Sequence, residues 1–487
     1  MSRLALVDRP APVPAPAPLD PRGRLERLCD GGSLEVLRSG IESRSARTRA
    51  GDGVVTGAGT IGGQPVFCYA QDSSFAGGSL GTAQADAIVR LMGMAAAANA
   101  PLVSFVESAG ARIDEGMAAL AGYGRIFREQ VALSGWVPQI TVVTGTSAGG
   151  GAYSPALSDF VVMTPEAQMF LTGPGIVRDV MGEDVTAAEL GGPNVQGSNG
   201  VCHVVAEDDP NSVDTARALV GYMTGRDPAG EVAIEPNGAG PRDPAAFVPD
   251  DPRKVYDVRE VVAALADPGS TLEIAPRWAR NIVTTLGRLG GRPVGFVCNQ
   301  PRYIGGVIDA EASQKAARFV RTCNAFGLPL IVLVDTPGFL PGTRQEGAGV
   351  IRHGAKLLHA FAEARVPKLT VVLRKAYGGG YITMNSQGLG ADLVLAWPGA
   401  EIGVVGAVQA VGILKRRDIA AADDPAGERD RLAAEYKDEH LTAAVAARGG
   451  FVDELVAPAQ TRSRLRWALT TVGAGERRGV DRGNIPL

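Results

Sequence analysis

Alternation and runs of apolar positions set the first outline of the chain. Arg22 to Leu37 carries helical spacing. Two β-rich runs, VVTGAGTI after Gly53 and QPVFCYA after Gly63, flank a Gly62-Gly63 pair, the pattern of a hairpin. SSFAGGSLG (Ser73 to Gly81) then opens an Ala- and Met-rich helix over Thr82 to Ala98, and LVSFVESAG after Pro101 reads as a buried strand ending in a loop. Strands alternating with helices predict α/β packing. From Arg226 to Arg253 the chain turns to Pro, Gly and Asp, too poor in apolar side chains for a packed element, so the domain boundary is placed there. The alternation then resumes with a hairpin-like stretch at Arg292 to Cys298, a helix around Ser313 to Ala325 and a buried strand at Leu328 to Val334.

The second outline is a repeat. Pro138-QITVVTGTSAGGGAY matches Pro367-KLTVVLRKAYGGGYI without a gap, a constant offset of 229 residues. Upstream, VSFVESAG ending at Gly110 answers IVLVDTPG ending at Gly338; downstream, Pro165-Glu-Ala167 answers Pro398-Gly-Ala400. A period this long means a duplicated domain rather than a solenoid. A length of 487 residues agrees, since one core rarely serves so many. The boundaries expected are a Pro/Ala-rich disordered tail at 1–20, a first domain at 21–250 and a second at 251–487.

Each half drives a buried strand into Gly-Gly-Gly and a small-residue helix start. Glycines let a ligand approach the backbone closely, and the first N–H groups of a helix have no intrahelical partner. Such a turn can stabilise an oxyanion. Two copies point to two anions, one per half. A tight strand–helix junction would also explain one Gly-Gly-Gly alone; recurrence at matching positions favours function.

Composition excludes more than it selects. Lys and Arg number 48 against 52 acidic residues, so no strong field calls for nucleic acid. No apolar run approaches the roughly 20 residues that cross a bilayer, and the N-terminus shows no signal sequence. Cys29, Cys68, Cys202, Cys298 and Cys323 include no CxxC pair, which argues against a zinc ribbon and fits a reducing cytoplasm. Three literal motifs compete. Gly145-Thr-Ser147-Ala-Gly149 matches the nucleophile elbow of serine hydrolases, yet the duplicate has Arg374 and Ala376 at the equivalent places, and His203, His353, His359 and His440 lie in no recognisable triad setting. Gly57-Ala-Gly59-Thr-Ile-Gly62 matches a dinucleotide fingerprint, but β-type residues follow where a helix is required. Cys202-His203 could suggest metal or thiol chemistry; buried, satisfied side chains are the commoner state.

ESAGARIDEG (Glu107 to Gly116), AGGGAYSPALSDFVVM (Ala148 to Met163), KAARFVRTCNAFGLPLIVLVDTPGFLPG (Lys315 to Gly342), RKAYGGGY (Arg374 to Tyr381) and the terminal GNIPL occur in this order. With these stretches the chain resembles the carboxyltransferase β subunits of acetyl- and propionyl-CoA carboxylases, the actinobacterial type above all. The resemblance implies an α/β fold of two tandem crotonase (ClpP)-like domains of the ββα superhelix type. It implies carboxyl transfer from carboxybiotin to the α-carbon of a short-chain acyl-CoA, giving malonyl- or methylmalonyl-CoA.

It implies that Gly149 and Gly150 hold the thioester oxygen and that Gly379 and Gly380 hold the biotin ureido oxygen. Gly110, Ala111 and Arg112 would belong to a CoA-binding loop, although Arg112 could equally make a structural ion pair; Tyr153 would contact substrate, and Ile382 would shape the acyl pocket. The biotin nitrogen itself takes the α-proton, so no protein base is required. The resemblance also implies a homohexamer, a trimer of dimers, with each site shared between subunits. Biotin would arrive on a separate α subunit that uses ATP and bicarbonate, because the chain has neither an Ala-Met-Lys-Met sequence (Leu91-Met-Gly-Met94 lacks the lysine) nor an ATP-binding signature, and no metal site is expected. The chain departs from its relatives at PNVQGSN (Pro193 to Asn199), which looks one residue short, at Asn324 in place of Asp, and at Gly380 in place of Ala. Rival readings are the carboxyltransferase subunit of an acyl-CoA decarboxylase, a catalytically silent subunit, and a fused crotonase-type hydratase with paired acids.

Overall fold

The computed structural model describes residues 17–43, 48–225, 242–472 and 484. Residues 1–16 of the tail expected at 1–20, most of the Pro/Gly/Asp-rich stretch (226–241) and all of GNIPL but Asn484 lie outside the described residues; the end of that tail is ordered, with Leu19 N–H donating to Asp209 and Asp20 capping the first helix.

Two eight-stranded sheets carry the duplication into three dimensions. The first is built from β1 (Glu35–Leu37), β2 (Val54–Ile61), β3 (Gln64–Gln71), β4 (Leu102–Ser108), β5 (Gln139–Ala148), β6 (Phe160–Met163), β7 (Gln168–Phe170) and β8 (Val204–Val205). Its order is β1-β2-β3-β4-β5-β6-β8, with β7 pairing the far end of β5. The second sheet is β9 (Leu272–Ile274), β10 (Ile282–Leu289), β11 (Arg292–Asn299), β12 (Leu330–Thr336), β13 (Lys368–Tyr377), β14 (Leu393–Ala396), β15 (Glu401–Gly403) and β16 (Glu454–Leu455). It repeats the order strand for strand. In both, the first three strands are antiparallel and the rest parallel.

Local chemistry explains the shared geometry. The hairpins β2–β3 and β10–β11 close on Gly62-Gly63 and Gly290-Gly291, all four at positive φ, as a two-residue turn compatible with strand twist requires. The dinucleotide-like Gly57 to Gly62 is therefore hairpin. Parallel pairing of β4 with β5, and of β12 with β13, slips register just before the glycine loops, between Val106 and Ser108 and between Val334 and Thr336.

The helix expected over 22–37 is shorter. It spans Pro21–Leu28, starting on an Asp20 cap, and Glu35–Leu37 is a strand instead. Asp30 causes the break: its carboxylate accepts from the N–H groups of Gly62 and Gly63 and from the Thr60 hydroxyl, which ties the chain to the first hairpin. The stretch ahead of residue 253 also differs from expectation. Pro244–Phe247 forms a 3-10 turn, and Phe247 and Val248 pack on the core of the second half.

One apolar cluster runs through both halves, from Leu25, Phe105 and Phe160 to Val297, Phe319 and Phe361. Each such fully buried side chain contributes about 1.5–3 kcal/mol. The two sheets therefore form one body. Outer clusters under Thr82–Ala98 and under Val258–Leu265 complete each half. All five cysteines are buried free thiols, and no described helix is long and apolar enough to cross a membrane.

Candidate active site

The two glycine loops occupy the same place in each half. Strand β5 ends at Ala148 and the helix Gly150–Ala156 follows; β13 ends at Tyr377 and the helix Gly378–Thr383 follows. Gly149 and Gly378 make the turn at φ +58° and +55°, values that suit glycine alone. Gly379 therefore matches Gly150, and Gly380 matches Gly151. The pair expected to hold the second anion, Gly379 and Gly380, sits one residue later than Gly149 and Gly150.

The donors differ in availability. The N–H of Gly149 is donated to Phe170 O at 3.2 Å, within the β5–β7 junction. Gly150 and Gly379, at the helix starts, are the residues whose N–H groups the turn leaves for a ligand. Beneath Gly150 lies the ring of Tyr123: a Cβ there would sit 2.8 Å from it. Tyr123 is buried and its hydroxyl meets Ser108 Oγ at 3.1 Å; burial pushes the phenol up to about 12. A Cβ on Gly379 would meet only Phe339, at 3.9 Å, whereas one on Gly380 would lie 2.7 Å from Gly338 Cα.

The preceding loops are duplicated as well. Gly110 and Gly338 both have positive φ, and their N–H groups are held by Ser108 Oγ and Thr336 Oγ1, each at 3.2 Å. Isolated bridges join Leu80 to Ala111 and Ile308 to Phe339.

Arg112 lies behind its loop. Its guanidinium is 4% exposed and bonds Asp52 at 2.6 Å, Glu115 at 2.9 Å and Ser79 O at 3.1 Å. Of the two roles open to it, the geometry matches the structural ion pair. Burial raises the Glu115 carboxyl, but hydrogen bonds from Thr82 and Ser43 and the Arg112 charge outweigh this and leave it below the usual range. Arg112 thus fixes the backbone of Gly110 and Ala111 from within, where the sequence also allowed a direct contact with substrate.

Tyr153 and Ile382 are about half exposed on the helices that follow the glycines. Tyr153 stacks edge-on against Phe127, ring centroids 6.2 Å apart.

Ser147 cannot act as an elbow nucleophile. It is fully buried inside β5, and its hydroxyl donates to Gly151 O at 2.8 Å. No histidine reaches it: His203 Nδ1 accepts from Val161 N–H, His359 faces Glu363, and His440 packs on Tyr436. Cys202 and His203 are interior groups, and no cluster of metal-ligating side chains occurs among the described residues.

Sequence reasoning missed the braces behind the second loop. Arg374 pairs with Asp335 at 2.8 Å, both shielded from solvent, and Tyr377 donates to Glu401 at 2.5 Å, which pairs with Lys437 at 2.8 Å. The repeat alignment already showed Arg374 opposite Gly145, the signal that could have found the first pair.

The neighbours of Gly149 to Gly151 all belong to the first half, and those of Gly378 to Gly380 to the second. The carboxyl transferase domain family matches residues 19–480. The chain belongs to that family. It is 46% identical to the methylmalonyl-CoA carboxyltransferase 12S subunit of Propionibacterium freudenreichii subsp. shermanii over 92% of this chain and 87% of that protein. It is 45% identical to the biotin-dependent acetyl-/propionyl-coenzyme A carboxylase beta6 subunit of Mycobacterium tuberculosis, covering 96% of this chain and 97% of that one. Among solved structures, transcarboxylase 12S, a hexamer crystallised with methylmalonyl-coenzyme A and methylmalonic acid, superposes with a TM-score of 0.90 at 44% identity, covering 96% of this chain and 92% of that one. The two tandem crotonase-like domains implied by the sequence are thus the fold of this family member.

Proposed function

We propose that this chain is the carboxyltransferase subunit of a biotin-dependent acyl-CoA carboxylase and that it moves a carboxyl group from carboxybiotin to the α-carbon of a short acyl-CoA. The observation that carries this reading is the pair of glycine loops on one repeated scaffold. The reaction places negative charge on two oxygens, the thioester oxygen of the acyl-CoA carbanion and the ureido oxygen of biotin.

The Gly150 N–H serves the thioester oxygen. A donor aimed at a developing oxyanion contributes about 2.7–4 kcal/mol to the transition state. The loop from Gly110 to Ala111 flanks the CoA, and Arg112 holds that loop in shape. The Gly379 N–H serves the ureido oxygen. Residues present there fit a flat ring: a Cβ on Gly379 would meet Phe339 alone, at 3.9 Å, and Ile382 offers an apolar, half-exposed edge. Carboxybiotin, carried on a separate subunit, supplies the carboxyl group and a nitrogen able to take the α-proton, so the protein need only bind and orient. Ile382 borders the acyl group and selects its length, with acetyl- and propionyl-CoA the substrates expected.

The two loops serve one site when subunits pair. After β7 the helix Pro174–Met181 exposes Ile176, Val180 and Met181; after β15 the helix Ala407–Leu414 exposes Val408, Ile413 and Leu414. Apolar faces of this kind beside each loop suit burial against a second copy. A homohexamer in the cytoplasm, working with a biotin-carrying α subunit, is the assembly proposed.

The reverse half-reaction tests the reading. Purified protein, free biotin and malonyl-CoA or methylmalonyl-CoA should release acetyl-CoA or propionyl-CoA only when biotin is present, the faster substrate revealing the acyl preference. Folded, oligomeric protein that releases neither product would contradict it.

A further inference from the structure

A cavity of about 350 Å³ lies where the two halves meet, walled by residues 156–161 and 199–203 of the first and by residues 274–284 and 311–322 of the second. Its walls include none of the neighbours of either glycine loop, and Ala156 at its rim ends the helix that Gly150 begins.

Its polar lining is unusual in charge. Lys315 is 3% exposed, and its ammonium donates to Trp278 O at 2.9 Å and Ile282 O at 2.8 Å. Among the described residues a third N–H has no acceptor, and no carboxylate is within ion-pair distance of it. A buried cation without a counter-charge costs several kcal/mol. His203 adds a second donor. Its Nδ1 accepts from Val161 N–H at 2.9 Å, so the neutral ring carries its proton on Nε2, and that N–H has no partner among the described residues. Arg318 also borders the cavity, donating to Ser158 O at 3.1 Å.

The acids present do not pair with Lys315: Glu273, whose charge acts on it from a distance, is held by Arg259 at 2.7 and 2.8 Å. Asp159 is occupied by Gln139 N–H and the Asn484 amide, and Glu311 stands at the exposed end. Opposite these donors are apolar groups, Ile274, Phe319 and Trp278, the last held in place against Gly200.

We propose that this cavity binds a small monocarboxylate with a short apolar body. The carboxylate accepts from Lys315 Nζ and His203 Nε2, and the apolar part lies on Trp278, Ile274 and Phe319. Burial pulls Lys315 down to about 7 and His203 to about 3, so an anion restores the charge that desolvation opposes on Lys315. Because its walls come from both halves, the bound anion braces one half against the other.

Thermal unfolding of the intact oligomer with sodium butyrate, the neutral isostere butyramide and sodium phosphate, at matched ionic strength, tests the assignment. Butyrate should raise Tm by about 2–4 °C at saturation, with butyramide and phosphate without effect, and Lys315→Met should abolish the shift. Should Lys315→Met not fold, His203→Phe takes its place, read by NMR saturation transfer to the butyrate methyl group, which should be strong in the wild type and lost in the variant. An equal response to butyramide, a response to phosphate instead, no response at all, or an undiminished response in the variants would each overturn the proposal.

Discussion

The two glycine loops share a backbone and differ in what stands behind it. In the first half, Glu107 faces Gly145 across β4 and β5; at the same two positions in the second, Asp335 faces Arg374 in a shielded ion pair. Gln71 and Asn299 occupy equivalent places and accept from the N–H of Glu107 and Asp335, so the frame itself has not moved. Arg374 reaches further, to Lys254 O at 2.9 Å and over the ring of Tyr256 at 4.8 Å, which fastens the segment entering the second half. The first loop rests instead on one aromatic ring, Tyr123, directly under Gly150. Duplication kept the loop geometry; the support behind it diverged, small and aromatic in the first half, ionic in the second.

The largest effect on stability should follow from breaking the ionic support. Arg374→Met leaves Asp335, 2% exposed, without its partner and should cost about 3–5 kcal/mol in denaturant unfolding. Glu107→Gln, the matching test in the first half, should stay within about 0.5 kcal/mol because that carboxylate has no ion-pair partner among the described residues. Equal losses would erase the distinction between the two halves.

Next comes activity. Gly150→Ala drives a methyl group into Tyr123 at 2.8 Å and should lower kcat for transfer roughly 100-fold, whereas Gly379→Ala meets only Phe339 at 3.9 Å and should change it a few-fold at most.

A smaller effect is expected at Tyr377. Replacing it with Phe removes the bond to Glu401 and should cost about 1.5–3 kcal/mol. Burial raises the Glu401 carboxyl, but Lys437 and Tyr377 outweigh it and hold the group below its usual range. A depressed folded-state pKa gives stability that is present above the unfolded value and lost as pH falls through the folded one. The stability gap between wild type and Glu401→Gln should therefore be full at neutral pH and close below about pH 4.

These differences also show what the sequence could and could not carry. The repeat, the first hairpin, the helix at Thr82 to Ala98 and the loop glycines were legible, because periodicity and Gly placement are local signals; the hairpin-like stretch at Arg292 to Cys298 is a single strand, paired with Ile282–Leu289 across Gly290-Gly291. The first helix was overread past Asp30, since what ends it is a carboxylate bonding to Gly62 and Gly63 some 32 residues away. Arg112 stayed ambiguous for the same reason: Asp52, its partner, is 60 residues distant. That the Gly149 N–H is engaged depended on the pairing of β7 with the end of β5, and no spacing rule reveals that.

In the proposed reaction the two loops come from different subunits. Gly150→Pro and Gly379→Pro each remove a donor and should each be inactive in the reverse half-reaction. Unfolded together in equal amounts, refolded and reassembled, they should regain about a quarter of wild-type activity, since about one shared site in four then receives an intact loop from each partner. A mixture as inactive as its components, with mixed oligomers demonstrated, would contradict the account.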